Sequence, residues 1–330
     1  MKKVRLLCLN FLVFVVLLGC LEVGTRGYLK ITQGNSTAGL KERKINLNYQ
    51  PFVMFGPNWD DYLDQNLELK SSQSDSVFTI LLVGGSVANG FPIDLLKGKL
   101  MDNFPTNKFQ IFNMGANGYN ARQEAIVTAL WGIKLKPDLI ISLTGANDFT
   151  HRLRTETPFA FVYNKSFEFI LTKPYLAPFL ELMRSSQFIY GLYRIKERNN
   201  IRSITEYADC IPVFIDAQHS INILAKGLHA KRLLILQPHV SFKSFLSEKE
   251  KEFSVYQYRN TIVKELYEKT LPSLKMLANR DTITLLNASD LFKEKKDHVF
   301  SDDVHFIDNV GYEILADSIV SITLQNEWVN

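Results

Sequence analysis

The stretch Val77-Phe78-Thr79-Ile80-Leu81-Leu82-Val83-Gly84-Gly85-Ser86-Val87-Ala88-Asn89-Gly90 decides how this chain is to be read. Seven mostly apolar, β-favouring residues run straight into a glycine pair, a serine and a further glycine. A strand covered on both faces needs no polar alternation, so the run reads as a buried strand. Gly84 and Gly85 permit a tight turn at its end. Ser86 is thereby presented at the carboxyl edge of a sheet, where open α/β folds bind their ligands. Taken alone, the stretch also fits an ordinary loop serine after a strand. Three later stretches separate the two readings.

Downstream, strands and helices alternate, which implies parallel β-α-β units. Helices are expected at about Ile93–Asn103, over Ala121–Lys134, around His219–Lys226, over Lys249–Ala278 and over Asn309–Leu324. Between them, strands are expected at Lys108–Asn113, Asp138–Leu143, Lys231–Leu236 and Thr282–Leu286, giving five with the first. Residues 149–210 break this rhythm. They contain an aromatic-rich part from Phe159 to Tyr175 and a long amphipathic helix over Leu176–Arg198, and they read as an insertion beside the active face. That insertion is either core padding or a cap for a substrate or partner. Upstream, residues 24–76 read as a spacer, with Gln50–Trp59 as an arm that packs on the domain.

The chain has 330 residues and a net charge of +4, with the charged residues interspersed, so it lacks the basic patch of a nucleic-acid binder. Three cysteines, Cys8, Cys20 and Cys210, show no metal-ligand spacing and offer no disulfide framework to the main body. Met1-Lys2-Lys3-Val4-Arg5 is basic, and the almost unbroken apolar run Leu6–Leu21 follows it. Residues 1–23 therefore read as a signal-anchor helix that leaves the rest outside the cytoplasmic membrane. A lipoprotein signal ending at Leu17-Leu18-Gly19-Cys20, or an ordinary cleaved signal, are the alternatives.

Four stretches fall at strand ends or after them. They are Gly84–Gly90, Asn113–Tyr119, Gly145-Ala146-Asn147-Asp148 and Asp302-Asp303-Val304-His305. Their chemistry is coherent. A serine hydroxyl is a weak nucleophile until a base takes its proton, and His305 can be that base. Asp302, three residues earlier, can hold the imidazole in one tautomer and stabilise its charged form. A developing oxyanion needs fixed donors, and the Ser86 N–H, the Gly118 N–H and the Asn147 side-chain amide can supply three. His151, His219, His229, His239 and His298 show no metal spacing, so neither a metal nor a cofactor is expected.

These four stretches resemble the SGNH, or GDSL-type, hydrolase family, whose members carry serine, glycine, asparagine and histidine in four blocks in this order. The resemblance covers roughly residues 77–325, with 149–210 poorly matched. It implies a three-layer α/β/α sandwich around a mostly parallel five-stranded sheet, with a hydrolase-like domain at 77–330. It places Ser86 at the nucleophile. Gly118 and Asn147 fall at the oxyanion positions, and Asp302 and His305 on the D-x-x-H pair, which favours Asp302 over Asp303 as the acid. Gly85 departs from the family pattern, replacing the aspartate of the named motif.

The resulting expectation is an exported, membrane-anchored serine esterase that removes acyl groups, acetyl among them, from a carbohydrate or other surface ester. An O-acyltransferase using the same residues, supplied by a membrane partner, is one alternative. A non-catalytic glycan-binding or scaffold protein is the other, and a binding module has no need of all four groups.

Overall fold

A computed structural model of the chain describes residues 2–33, 49–50, 52–71, 77–153, 175, 204–252 and 257–329. Residues 1–46 with 163–202 group as one unit, and 47–162 with 203–330 as another. In the first, Lys2–Gln33 is one 32-residue helix, α1. Among the described residues, no helix is long and apolar enough to cross a membrane. The expected spanning helix is thus not supported by the fold, and the side chains of residues 1–8, where the apolar run begins, lie outside the described ones. Most of the expected insertion at 149–210 also lies outside them.

The second unit begins with two short antiparallel strands, β1 (Tyr49–Gln50) and β2 (Met54–Phe55), and the helix α2 (Trp59–Ser71). This arm is built into the domain. Val53, Phe55, Trp59 and Leu63 are at most 2% exposed. The Trp59 indole donates to Tyr119 Oη at 3.2 Å, Gln123 Nε2 donates to the Val53 carbonyl at 2.8 Å, and Trp131 Nε1 donates to Asp60 at 3.0 Å. Burial of that size makes residues 53–63 part of the core.

The central sheet follows: β3 (Val77–Gly84), β4 (Lys108–Asn113), β5 (Leu139–Thr144), β6 (Lys231–Leu236) and β7 (Thr284–Asn287). Its spatial order is β4-β3-β5-β6-β7, and every pairing is parallel. The register sets Leu81 beside Phe112 on one side and Ile140 on the other. All six residues of β5 are buried, as the apolar runs require of strands covered on both faces. Helices α3 (Ile93–Asn103), α4 (Ala121–Leu130), α5 (Ala146–Arg152), α6 (Cys210–Gly227), α7 (Gln257–Asp281) and α8 (Val310–Gln325) complete the unit.

The period of two along the strands divides the core. Ile80, Leu82, Ile141 and Ile235 face Leu96 and Leu100 of α3 and Leu315 and Ile319 of α8. On the other face, Leu234 and Leu236 pack with Phe214 of α6 and Val263 and Leu266 of α7. The three-layer expectation is met. Two of the boundaries that differ from expectation have local reasons. Asp138 stays outside β5 because its carboxylate accepts the Thr79 N–H at 2.7 Å. Helix α4 stops at Leu130, and a 3₁₀ turn at Gly132–Leu135 follows, with Gly132 against Leu81. Of the expected helix Lys249–Ala278, Glu248–Glu252 and α7 are helical, and residues 253–256 lie outside the described ones.

The order β4-β3-β5-β6-β7 places the switch point between β3 and β5, where successive strands turn from one side of β3 to the other. In open α/β sheets the crevice beyond the carboxyl ends at that switch point is where ligands bind. Ser86 follows β3, and Asn147 follows β5.

Candidate active site

Ser86 opens a single helical turn, Ser86–Asn89, directly after β3. The turn is tied down on several sides. Asn89 N–H and Gly90 N–H close it onto the Gly85 and Ser86 carbonyls at 2.9 and 3.0 Å. Asn113 Nδ2, at the end of β4, donates to the Ala88 carbonyl at 2.7 Å, and Tyr312 Oη from α8 donates to the Val87 carbonyl at 3.2 Å. The hydroxyl-bearing residue is therefore held by both neighbouring layers, which is what a reactive group needs to keep one position.

His305 and Asp302 come from the other end of the chain, on a short loop closed by an isolated antiparallel bridge between Phe300 and Phe306. Ile307 N–H donates to the Val299 carbonyl and Ser301 N–H to the His305 carbonyl, both at 2.8 Å. The loop is anchored by rings. Phe300 and Phe306 lie 5.5 Å apart centre to centre, Phe292 stacks on Phe306 at 5.4 Å, and Tyr312 meets Phe306 edge-on at 5.0 Å. Gly311 faces the Phe306 ring, which an added Cβ would strike.

At the tip of this loop, His305 Nε2 lies 2.7 Å from Ser86 Oγ, and His305 Nδ1 lies 2.7 Å from Asp302 Oδ2. The second Asp302 oxygen accepts the backbone N–H groups of Val304 and His305 at 2.9 and 2.8 Å. Partial burial works to raise the Asp302 carboxyl. The His305 ring and these two N–H groups outweigh it, and hold the carboxyl well below the usual carboxylate range. An ionised Asp302 keeps a proton on Nδ1 and leaves Nε2 free to accept from Ser86. Side-chain exposures of 30% for His305 and 36% for Asp302 leave the pair open to a bound molecule. Asp303, the other acid of the stretch, contributes its carbonyl to the Val240 N–H at 2.9 Å.

Gly118 and Asn147 flank the same turn. Gly118 has φ of 81°, a left-handed conformation that glycine adopts without strain. Its neighbour Asn117 accepts from Asn89 Nδ2 at 3.3 Å, joining this loop to the Ser86 turn. Asn147 Nδ2 donates one hydrogen to the Tyr119 carbonyl at 2.8 Å, which leaves its second amide hydrogen for a ligand. Gly85 explains the departure from the family pattern. A Cβ there would lie 2.3 Å from Asn147 Nδ2 and 3.2 Å from the Tyr119 carbonyl oxygen. In this chain the position has room only for hydrogen, and the vacant space holds the Asn147 amide.

Sequence reasoning assigned no role to Asp148. Its carboxylate accepts the Ala121 N–H at 3.1 Å, so adjacent residues of one stretch, Asn147 and Asp148, grip the loop 119–121 from the same side. Burial pushes the Asp148 carboxyl up to about 7. Behind it, fully buried Glu124 is raised well above the usual range by burial and by Asp148, while accepting from the Thr144 hydroxyl at 2.7 Å. Arg232, buried within β6, is lowered to about 10. Among the described residues, no group of three His, Cys, Asp or Glu side chains could hold a metal ion.

No protein-family model matches the chain, and no curated protein matches it in sequence. Solved structures do. A protein of Bacteroides fragilis described as an acylhydrolase is 14% identical, with a TM-score of 0.47, covering 85% of this chain and 100% of its own. A GDSL-like lipase of Bacteroides thetaiotaomicron is 14% identical, with a TM-score of 0.43, covering 82% of this chain and 98% of its own. An acetyl-xylooligosaccharide esterase from Geobacillus is 15% identical, with a TM-score of 0.45, covering 76% and 96%. The chemistry of this site rests on its own geometry.

Proposed function

We propose that this protein is an SGNH-type serine esterase, with Ser86 as nucleophile, His305 as general base and acid, and Asp302 as the orienting carboxylate. One observation carries the reading: an unbroken line of 2.7 Å contacts from Ser86 Oγ through both ring nitrogens of His305 to Asp302. It stands at the sheet edge where α/β folds place their ligands. A glycan-binding module would need neither the alignment nor the backbone N–H support of Asp302.

In this reading Ser86 Oγ attacks the ester carbonyl while His305 Nε2 takes its proton. Charge develops on the carbonyl oxygen. The Asn147 amide hydrogen not used by Tyr119, together with the Ser86 and Gly118 N–H groups, stabilises it. His305 returns the proton to the leaving alcohol, and the Ser86 acyl ester forms. Water, deprotonated by His305, then attacks that ester and releases the acid. If a sugar hydroxyl takes the place of water, the same residues perform acyl transfer.

The substrate class belongs to the same proposal: acyl esters, acetyl among them, on a carbohydrate or other surface molecule. So does location outside the cytoplasmic membrane, which the basic start Lys2-Lys3-Val4-Arg5 and the apolar run after it support. The test is labelling of the full-length protein with a fluorophosphonate, followed by peptide mapping. The label is expected on Ser86, and an unlabelled Ser86 in folded protein overturns the mechanism.

A further inference from the structure

We propose that Lys243 and Glu250 are positioning residues for the acid–base loop, forming a buried clamp on the chain that enters Asp302 and so aiming His305 at Ser86. The inference rests on the reading of Ser86, His305 and Asp302 as a hydrolase triad.

Both side chains are 0% exposed. Lys243 Nζ donates to the two Glu250 oxygens at 2.9 and 2.7 Å, and to the Asp297 carbonyl at 2.6 Å. Glu250 Oε1 also accepts the N–H groups of Val299 and Phe300, each at 3.1 Å, and Oε2 accepts the Ser247 N–H at 2.9 Å. Burial works to raise the Glu250 carboxyl, and these donors hold it below its ordinary value.

The destination of these bonds is what assigns the role. Three of the backbone groups belong to residues 297, 299 and 300, immediately ahead of Asp302. The loop that carries Lys243 also meets the acid–base loop directly, through Val240 N–H and the Asp303 carbonyl at 2.9 Å. A fully buried ion pair seldom adds stability over apolar side chains of similar size, because desolvating two charges offsets their attraction. A pair whose hydrogen bonds converge on one loop does fix where that loop lies. A displacement of the base by about 1 Å costs on the order of 10²-fold in rate.

The test compares two double variants with the wild-type protein. Lys243→Met/Glu250→Leu removes the charges and the acceptors for Val299 and Phe300. Lys243→Met/Glu250→Gln removes the charges and keeps an acceptor. For an aryl ester, the first is expected to lose about 10²-fold in kcat with KM within about twofold, and the second to recover most of that loss. In the first, the low-field proton resonance of the His305–Asp302 hydrogen bond is expected to disappear at a temperature where circular dichroism shows the fold intact. A folded Met/Leu variant with wild-type kcat and that resonance overturns the proposal.

Should neither variant fold, amide exchange in the wild-type protein decides. Val299 and Phe300 N–H are expected to exchange as slowly as the amides of β5, and exchange about 10²-fold faster overturns the clamp. If Ser86 fails to take a fluorophosphonate, the hydrolase reading falls by itself. The resonance and the amide protection still report on the clamp.

Discussion

Gly85→Ala isolates the oxyanion geometry with a single methyl group. The new Cβ would stand 2.3 Å from Asn147 Nδ2, over 1 Å short of ordinary van der Waals contact. Backbone relief is closed off, because the Tyr119 carbonyl lies 3.2 Å away on the same side. The Asn147 amide must therefore swing outward, giving up its 2.8 Å bond to that carbonyl. Loss of one such bond costs the fold about 1 kcal/mol. Loss of one oxyanion donor costs about 10²–10³ in turnover, or roughly 3–4 kcal/mol of transition-state stabilisation. The expected result is kcat lowered by that factor with KM little changed, since the donor binds the transition state more than the substrate. Asn147→Ala is expected to give the same kcat loss, and the two changes together no more than either alone. The control is Gly98→Ala. Gly98 is exposed on α3 with nothing within 4 Å of an added Cβ, so alanine there should raise stability by about 0.5–1 kcal/mol and leave kcat alone. Steady-state kinetics on an aryl ester, with thermal melts, read all four proteins. Wild-type kcat in a folded Gly85→Ala protein would refute the reasoning.

Ser86→Ala and His305→Ala should each reduce aryl-ester turnover to background, and the double variant should be no worse, since the two act as one unit. The Asp302 carboxylate is depressed in the folded state, so its stabilising contribution is present above its unfolded value near 4 and is lost as pH falls below that value. Asp302→Asn should therefore lower the melting temperature at neutral pH and shrink that difference on acidification. Asp148 runs the opposite way. Raised to about 7, it holds a proton in the folded state that the unfolded chain has released, so stability falls as pH rises from about 4 to about 7. Asp148→Asn should flatten that part of a melting-temperature profile, and an unchanged slope would remove the assignment. Trp59→Ala should cost about 3–5 kcal/mol in denaturant unfolding, as a buried core aromatic does. A loss below about 0.5 kcal/mol would return residues 53–63 to the status of a surface segment.

The parts of this fold that were legible in the sequence are those decided locally. Val77–Gly84, Leu139–Thr144 and Lys231–Leu236 are apolar runs of strand length, and a strand buried on both faces admits little else. Ser86 and Asn147 could be named as candidates because short stretches of polar residues and glycine follow two of those runs, and Asp302 and His305 because an acid stands three residues before a histidine ahead of the last helix. What stayed hidden depends on partners far along the chain. Glu250 sits in Glu248-Lys249-Glu250-Lys251-Glu252, which reads as a solvated helix, yet Val299, Phe300 and Lys243 draw it fully inside. Glu124 and Arg232 are likewise charged residues that lie buried. Gly85 looked like an imperfect motif residue. Only the position of the Asn147 amide, 62 residues later in the chain, shows why no side chain fits there.

The triad is asymmetric in chain distance: Asp302 and His305 are three residues apart, whereas His305 and Ser86 are separated by 219. On the proposed mechanism, acid and base can thus meet as soon as their own loop closes, while the nucleophile waits for a docking event across 219 residues. Closing so long a loop costs only slightly more entropy than closing one half its size, so the separation weighs little on stability. It weighs on timing. A chain with β3, β4 and β5 already paired has the strand and the Asn113 bond that hold the Ser86 turn, without the Tyr312 bond from α8 and without His305. On the proposed mechanism, Ser86 in a chain still being synthesised has no base until residues 299–312 seat against the Ser86 turn.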